Sequence, residues 1–164
     1  MTPSQELPAS AARRLRPAAP RVVAGSAGSD PAKRPSRWAA HFPAHAGADL
    51  AATATWELPT SDGLRRAAVP PEFLPEHETE KALTETIDEV FGSQRPTGMR
   101  LAVIEGHPAK VLVQESKGAF MLVVGSRGHG GFAGVLPGSV SASVAEHAKG
   151  LVVIVHGDQH PPEA

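Results

Sequence analysis

The stretch Met121 to Ser143, MLVVGSRGHGGFAGVLPGSVSAS, decides how this chain folds. Its first four residues, Met121, Leu122, Val123 and Val124, form an apolar run without polar alternation, the pattern of a strand buried on both faces. The run breaks at Gly125-Ser126-Arg127-Gly128, and glycine recurs as far as Gly138. Ser139 then reads as an N-cap, with Val140, Val144 and Ala148 following at helical spacing. A strand, a glycine-rich loop and a helix N-terminus in that order aim several backbone N–H groups at one spot, where the helix dipole adds partial positive charge. An anion, above all a phosphate, is the natural occupant. The same glycines also admit a purely structural reading, as the φ > 0 positions of a tight connection.

Outward from this stretch, strands and helices alternate. Leu151 to Val155 (LVVIV) reads as a wholly apolar strand, with a loose tail over residues 158–164. Upstream, Pro108 opens a helix at its first position and carries Leu112, Val113 and Ser116 inward. Met99 to Ile104 reads as a strand. Glu76 to Phe91 is the clearest helix, with Leu83, Ile87, Val90 and Phe91 on one stripe, Gly92 as its stop and Pro96 beyond. Pro59 to Pro75 is a loop with four prolines and no periodicity, and Asp49 to Trp56 is a strand. The first strand, Arg21 to Gly25, leads through Ser26-Ala27-Gly28-Ser29-Asp30 into a helix that begins near Pro31 and bears Trp38, Ala39 and Phe42. Pro35 and Pro43 interrupt that pattern, each at a cost of about 3 kcal/mol in a helix interior, so Pro43 is expected to end or kink it. Residues 1–20 are polar and proline-bearing, without an apolar signal region, and read as a disordered extension to a domain over 21–157.

Strands that alternate with helices and are nearly continuous in apolar residues predict an α/β fold: a doubly wound, five-stranded parallel sheet with helices on both faces. In the order 3-2-1-4-5 the first and fourth strands are neighbours, and the loops that leave them face one crevice beyond the carboxyl ends of the strands. Those loops are the two that carry glycine, Gly25 to Asp30 and Gly125 to Ser139.

Composition narrows the function classes. Lys plus Arg total 16 against 17 Asp plus Glu, a net charge of -1, so no global field draws the chain to nucleic acid or to an anionic membrane. The sequence has no cysteine, which excludes thiolate metal sites and cysteine nucleophiles. No apolar run approaches the roughly 20 residues of a membrane span. A cytoplasmic protein is the expectation. His41 and His45 have the spacing of a metal pair, but Pro43 between them spoils the register, and no metal site is expected.

The spacing Gly125-x2-Gly128-x9-Gly138-Ser139, within GSRGHGGFAG…GSVS, resembles the nucleotide-binding signature of the universal stress protein family. It is neither a Walker A loop nor a G-x-G-x-x-G dinucleotide fingerprint. The resemblance extends from about Arg21 to Val155, through RVVAGSAGSD, the WAA of the first helix, GHPAKVLV and the closing apolar strand. It implies the adenine nucleotide alpha-hydrolase-like fold, ATP as ligand with Mg accompanying it, and a homodimer paired through Leu151, Val152, Val153, Ile154 and Val155. It places Gly25 and Ala27 by the adenosine and Mg side. Gly125, Ser126, Arg127, Gly128, His129, Gly130 and Gly131 would wrap ribose and phosphates, and Gly138, Ser139 and Val140 would cap the phosphates.

One departure from the family pattern bears on ligand affinity. Where the first loop usually carries a carboxylate, this chain has Ala27. Losing a charge-assisted hydrogen bond costs on the order of 1.5–3 kcal/mol, or roughly ten- to hundredfold in affinity. Two readings follow: a regulatory module that binds ATP and hydrolyses it slowly or not at all, and a dimeric scaffold that no longer uses nucleotide. A hydrolase or transferase of related fold is a third, although no positioned base or Walker B carboxylate is visible. Arg127 reads equally as a phosphate ligand and as a solvated loop residue, and His129 as a donor or bystander rather than a base.

Overall fold

The computed structural model describes residues 20–25, 30–43, 47–57, 75–126, 138–157 and 160–161. Along them run β1 (Arg21–Gly25), α1 (Asp30–His41), β2 (Asp49–Trp56), α2 (Pro75–Phe91), β3 (Arg100–Glu105), α3 (Pro108–Glu115), β4 (Met121–Gly125), α4 (Ser139–His147) and β5 (Leu151–Val155). The strands pair in parallel as one sheet in the order β3-β2-β1-β4-β5, the doubly wound arrangement expected from the alternation.

Each strand sends alternate side chains to opposite faces. On one face Val22, Ala24, Leu50, Met121, Val123 and Val155 pack with Ala39 and Trp38 of α1. Further along the same face Ala52 and Ala54 pack with Leu83 and Ile87 of α2. On the other face Val23, Leu122 and Val124 pack with Leu112 of α3 and Val144 of α4. Val22, Val23, Leu122, Val123 and Val144 are wholly excluded from solvent. The central strands β1 and β4 are thus buried on both faces, which accounts for their unbroken apolar text.

Several boundaries follow tertiary contacts rather than local pattern. Pro35 lies inside α1 with its ring buried, where apolar burial offsets the missing N–H; the helix ends at His41, ahead of Pro43. β3 starts at Arg100 rather than Met99, because the Met99 N–H donates to the Pro96 carbonyl at 3.1 Å in the preceding turn. On α2 the buried stripe is Leu83, Thr86 and Ile87, while Val90 and Phe91 are half-buried. Thr86 can enter the core because its hydroxyl donates to the Ala82 carbonyl at 2.8 Å. α4 ends at His147, and two residues on the Lys149 N–H donates to the Ser116 hydroxyl oxygen at 3.0 Å.

Two polar side chains fasten α3 at the amino end of the sheet. Arg21 donates to the Glu115 carbonyl at 2.8 Å, placing its cation at the negative end of the helix. Ser116, 2% exposed, donates to the Val113 carbonyl at 2.6 Å while it accepts the Lys149 N–H, so one hydroxyl joins α3 to the turn before β5. Ser116→Ala is expected to destabilise the fold by about 1–2 kcal/mol, because the Lys149 N–H loses its protein partner. Urea unfolding measures this as a lower midpoint with an unchanged slope.

Candidate functional site

The winding of the sheet reverses between β1 and β4. The chain leaves β1 for α1 on one face, and leaves β4 for α4 on the other. Val22, Val23 and Ala24 are in register with Met121, Leu122 and Val123, so the carboxyl ends of β1 and β4 finish side by side. In doubly wound sheets the point where successive helices pass to opposite faces is the usual ligand position.

Gly25, Gly125, Ser126, Gly138, Ser139 and Val140 fall among the described residues and gather around this end of β1 and β4. Ala27, Arg127, Gly128, His129, Gly130 and Gly131 lie outside the described residues. At Gly25 a Cβ would come within 3.0 Å of Leu112 Cδ1 and 3.3 Å of Val124 Cγ1. This glycine therefore has a packing reason, the close approach of α3 to β1, in addition to any role toward a ligand. Beside it on β2, in register, Thr53 is 1% exposed and its hydroxyl has no hydrogen-bond partner.

The backbone of Ser126 ties three elements together. Its N–H donates to the Val155 carbonyl of β5 at 2.9 Å, and its carbonyl accepts the Gly138 N–H at 2.6 Å. Ser141, 1% exposed on α4, brings its hydroxyl to 3.2 Å from the same Ser126 carbonyl and 2.9 Å from the Gly138 carbonyl. The chain thus leaves β4 and enters α4 at nearly the same place.

The N-cap of α4 is Gly138, at φ -60 and ψ 159, and Ser139 is the first helical residue. This corrects the sequence reading, in which Ser139 is the cap. Because Gly138 has no side chain, nothing on the cap competes for the first amides of the helix. The Gly138 N–H itself is engaged by Ser126, so the amides this end presents begin with Ser139 and Val140. Ser139 is exposed and Val140 half-buried. Such an end can hold an anion through backbone donors and the helix dipole. The Ser126–Ser141 linkage was missed from sequence; its one signal is Ser141 itself, a hydroxyl on the inward stripe it shares with Val144.

Among the described residues no group of three or more His, Asp or Glu side chains is placed to hold a metal ion, and no helix is long and apolar enough to cross a membrane. β5 is one of the two edge strands of the sheet; on it Leu151 is 58% exposed while Val153 packs against the core cluster of β1 and β4.

Comparison with known proteins agrees with this architecture. The sequence profile of the Universal stress protein family matches residues 19–156. A universal stress protein of Mycolicibacterium smegmatis is 38% identical over 81 residues, 49% of this chain and 26% of that protein. One from Mycobacterium tuberculosis is 50% identical over 52 residues, 32% of this chain and 18% of that protein. The matched stretch is thus about a quarter or less of each relative's length. Among solved structures, a universal stress protein in complex with cAMP superposes with a TM-score of 0.61 at 28% identity, covering 84% of this chain and 97% of that one. The protein UspA from Lactobacillus plantarum shares the fold with a TM-score of 0.70 at 18% identity, covering 83% and 97%. A family member from Arabidopsis thaliana with AMP bound does so at 0.51 and 17%, covering 85% and 92%. With the profile matched over residues 19–156, most of its length, the chain belongs to the universal stress protein family.

Proposed function

We propose that this chain is a nucleotide-binding regulatory module of the stress response, which takes an adenine nucleotide at the crevice between β1 and β4. The observation that carries the reading is the glycine-capped N-terminus of α4 beside the switch point, a set of backbone donors where such sheets place ligands. The 28% identical relative solved with cAMP supports the adenine nucleotide class. In this reading Gly25, Ala27 and Thr53 lie toward the nucleoside, Gly125 to Gly131 wrap ribose and phosphates, and Ser139 and Val140 hold the terminal phosphate through their N–H groups.

ATP, with Mg accompanying it, is the ligand that the resemblance to nucleotide-binding members of the family implies. The chain's own donors suit the phosphate better than the metal: position 27 offers no carboxylate, and recognition falls on backbone amides. Hydrolysis is slow or absent, and occupancy sets a conformation or an assembly state. The test is calorimetric titration of the stripped protein with ATP, ATP with Mg, AMP and cAMP. Micromolar binding, no tighter with Mg than without, is expected. Silence toward all four ligands overturns the nucleotide reading and leaves the scaffold reading standing.

The module works in the cytoplasm as a homodimer. β5 is an apolar strand that pairs on one side with β4 and ends the sheet, the kind of edge a second strand covers. Leu151→Lys tests this cleanly, because Leu151 is exposed and its replacement spares the monomer's core; Val153 packs inside, so changing it would unsettle the fold as well. Sedimentation is expected to fall from dimer to monomer mass with the melting temperature of the monomeric unit preserved. An unchanged mass excludes this end of β5 from the interface.

A further inference from the structure

We propose that Ser141 is a positioning residue that latches the two ends between which residues 127–137 run, and so sets how well the first amides of α4 hold a phosphate. The second half of this statement rests on the nucleotide reading above.

The geometry is unusual for a helix serine. Ser141 sits in the first turn of α4, 1% exposed, on the same face as Val144, where an apolar residue would be expected. A helix serine ordinarily returns its hydroxyl to a carbonyl three or four residues back, and the 2.9 Å contact with the Gly138 carbonyl is of that type. Here the same oxygen also lies 3.2 Å from the Ser126 carbonyl, 15 residues away in the chain. One hydroxyl proton is shared between the carbonyls of Ser126, after β4, and Gly138, before α4. The Ser126 carbonyl meanwhile accepts the Gly138 N–H at 2.6 Å, and the Ser126 N–H is held by Val155. The N-terminus of α4 is therefore tied to β4 by two donors on a single acceptor, and through Ser126 to β5.

Fixing that end has a chemical consequence. The Gly138 carbonyl also accepts the Ala142 N–H at 3.0 Å, the first bond of the helix ladder, so the latch and the start of the helix share an atom. The amides of Ser139 and Val140 are held in one direction before any ligand arrives, and a preorganised donor set binds an anion without the cost of ordering it first. Without the hydroxyl, the Ser126 carbonyl keeps one donor, and the first turn of α4 is freer to fray.

The experiment compares wild type with Ser141→Ala, Ser141→Thr and Ser116→Ala. Ser116 is a second buried serine, but it lies at the opposite end of the sheet. Residue-resolved amide exchange of the ligand-free protein is read first. In Ser141→Ala the Gly138 and Ala142 amides are expected to exchange about five- to tenfold faster, the loss of one ordinary hydrogen bond. Ser116→Ala is expected to leave both amides unchanged, although it lowers global stability. AMP affinity is read second. Ser141→Ala is expected to bind about five- to tenfold more weakly, with Ser141→Thr, which keeps the hydroxyl, near wild type. Gly138 exchange equal to wild type in Ser141→Ala overturns the latch, whatever the ligand result. Faster exchange with AMP affinity unchanged overturns its role in binding. If wild-type protein binds no AMP, the nucleotide reading falls, and the latch stands or falls on exchange alone.

Discussion

Ser139→Asp is expected to weaken AMP binding by about a hundredfold while it makes the free protein slightly more stable. Ser139 is the first helical residue of α4, exposed, and preceded by a glycine cap without a side chain. A carboxylate there meets the positive end of the helix dipole and adds about 0.3–1 kcal/mol to stability. At an assumed separation of about 5 Å, the same charge would repel a phosphate seated on the first amides by about 1–2 kcal/mol per phosphate charge at an effective dielectric constant of roughly 40–80. The two effects have opposite signs, which separates binding from folding in one variant. Titration with AMP and a thermal melt read them independently. A variant that melts higher and still binds AMP as wild type does would move the phosphate away from this helix end.

Gly25→Val carries the second large effect, this time on the fold. A Cβ at Gly25 already approaches Leu112 Cδ1 to 3.0 Å, Leu112 Cδ2 to 3.3 Å and Val124 Cγ1 to 3.3 Å. The two further methyl groups of valine cannot be accommodated by side-chain adjustment alone, since Leu112 and Val124 are themselves buried in the core between α3, β1 and β4. α3 must move off the sheet, at a cost of about 2–3 kcal/mol. Urea unfolding measures the loss. A smaller loss is expected for Gly25→Ala, because one methyl asks Leu112 to yield only a few tenths of an ångström. If valine is tolerated as well as alanine, the glycine is not there for packing, and its requirement would have to come from the ligand side of the crevice.

The two predictions concern residues whose types were visible from the start, yet whose roles were not equally legible. The glycine spacing from Gly125 to Gly138 pointed to the end of β4 beside β1, because that reading needed only a strand before it, a helix after it, and the connectivity that makes β1 and β4 neighbours. Gly25 was read toward a ligand, since nothing local signals that Leu112, far along the chain, will press against it. Likewise Ser139 had the residue type of an N-cap, and the structure instead gave that place to Gly138, whose N–H is drawn to the Ser126 carbonyl.

The sequence by itself determined the order of elements, the parallel doubly wound sheet, the burial of β1 and β4 on both faces and the apolar edge at β5. Each of these rests on periodicity, on proline and glycine punctuation, or on connectivity, and all three act over a few residues or through chain order. Only the tertiary structure decided where α4 begins and ends, that Ser126, Gly138, Ser141 and Val155 meet at one point, and that Ser116 and Arg21 fasten α3 from distant parts of the chain. The Arg21 contact with Glu115 spans 94 residues and the Ser116 contact with Lys149 spans 33. No local propensity encodes such partners. They exist because the sheet brings those segments together, and a buried hydroxyl or amide is stabilised by a partner that the fold supplies there.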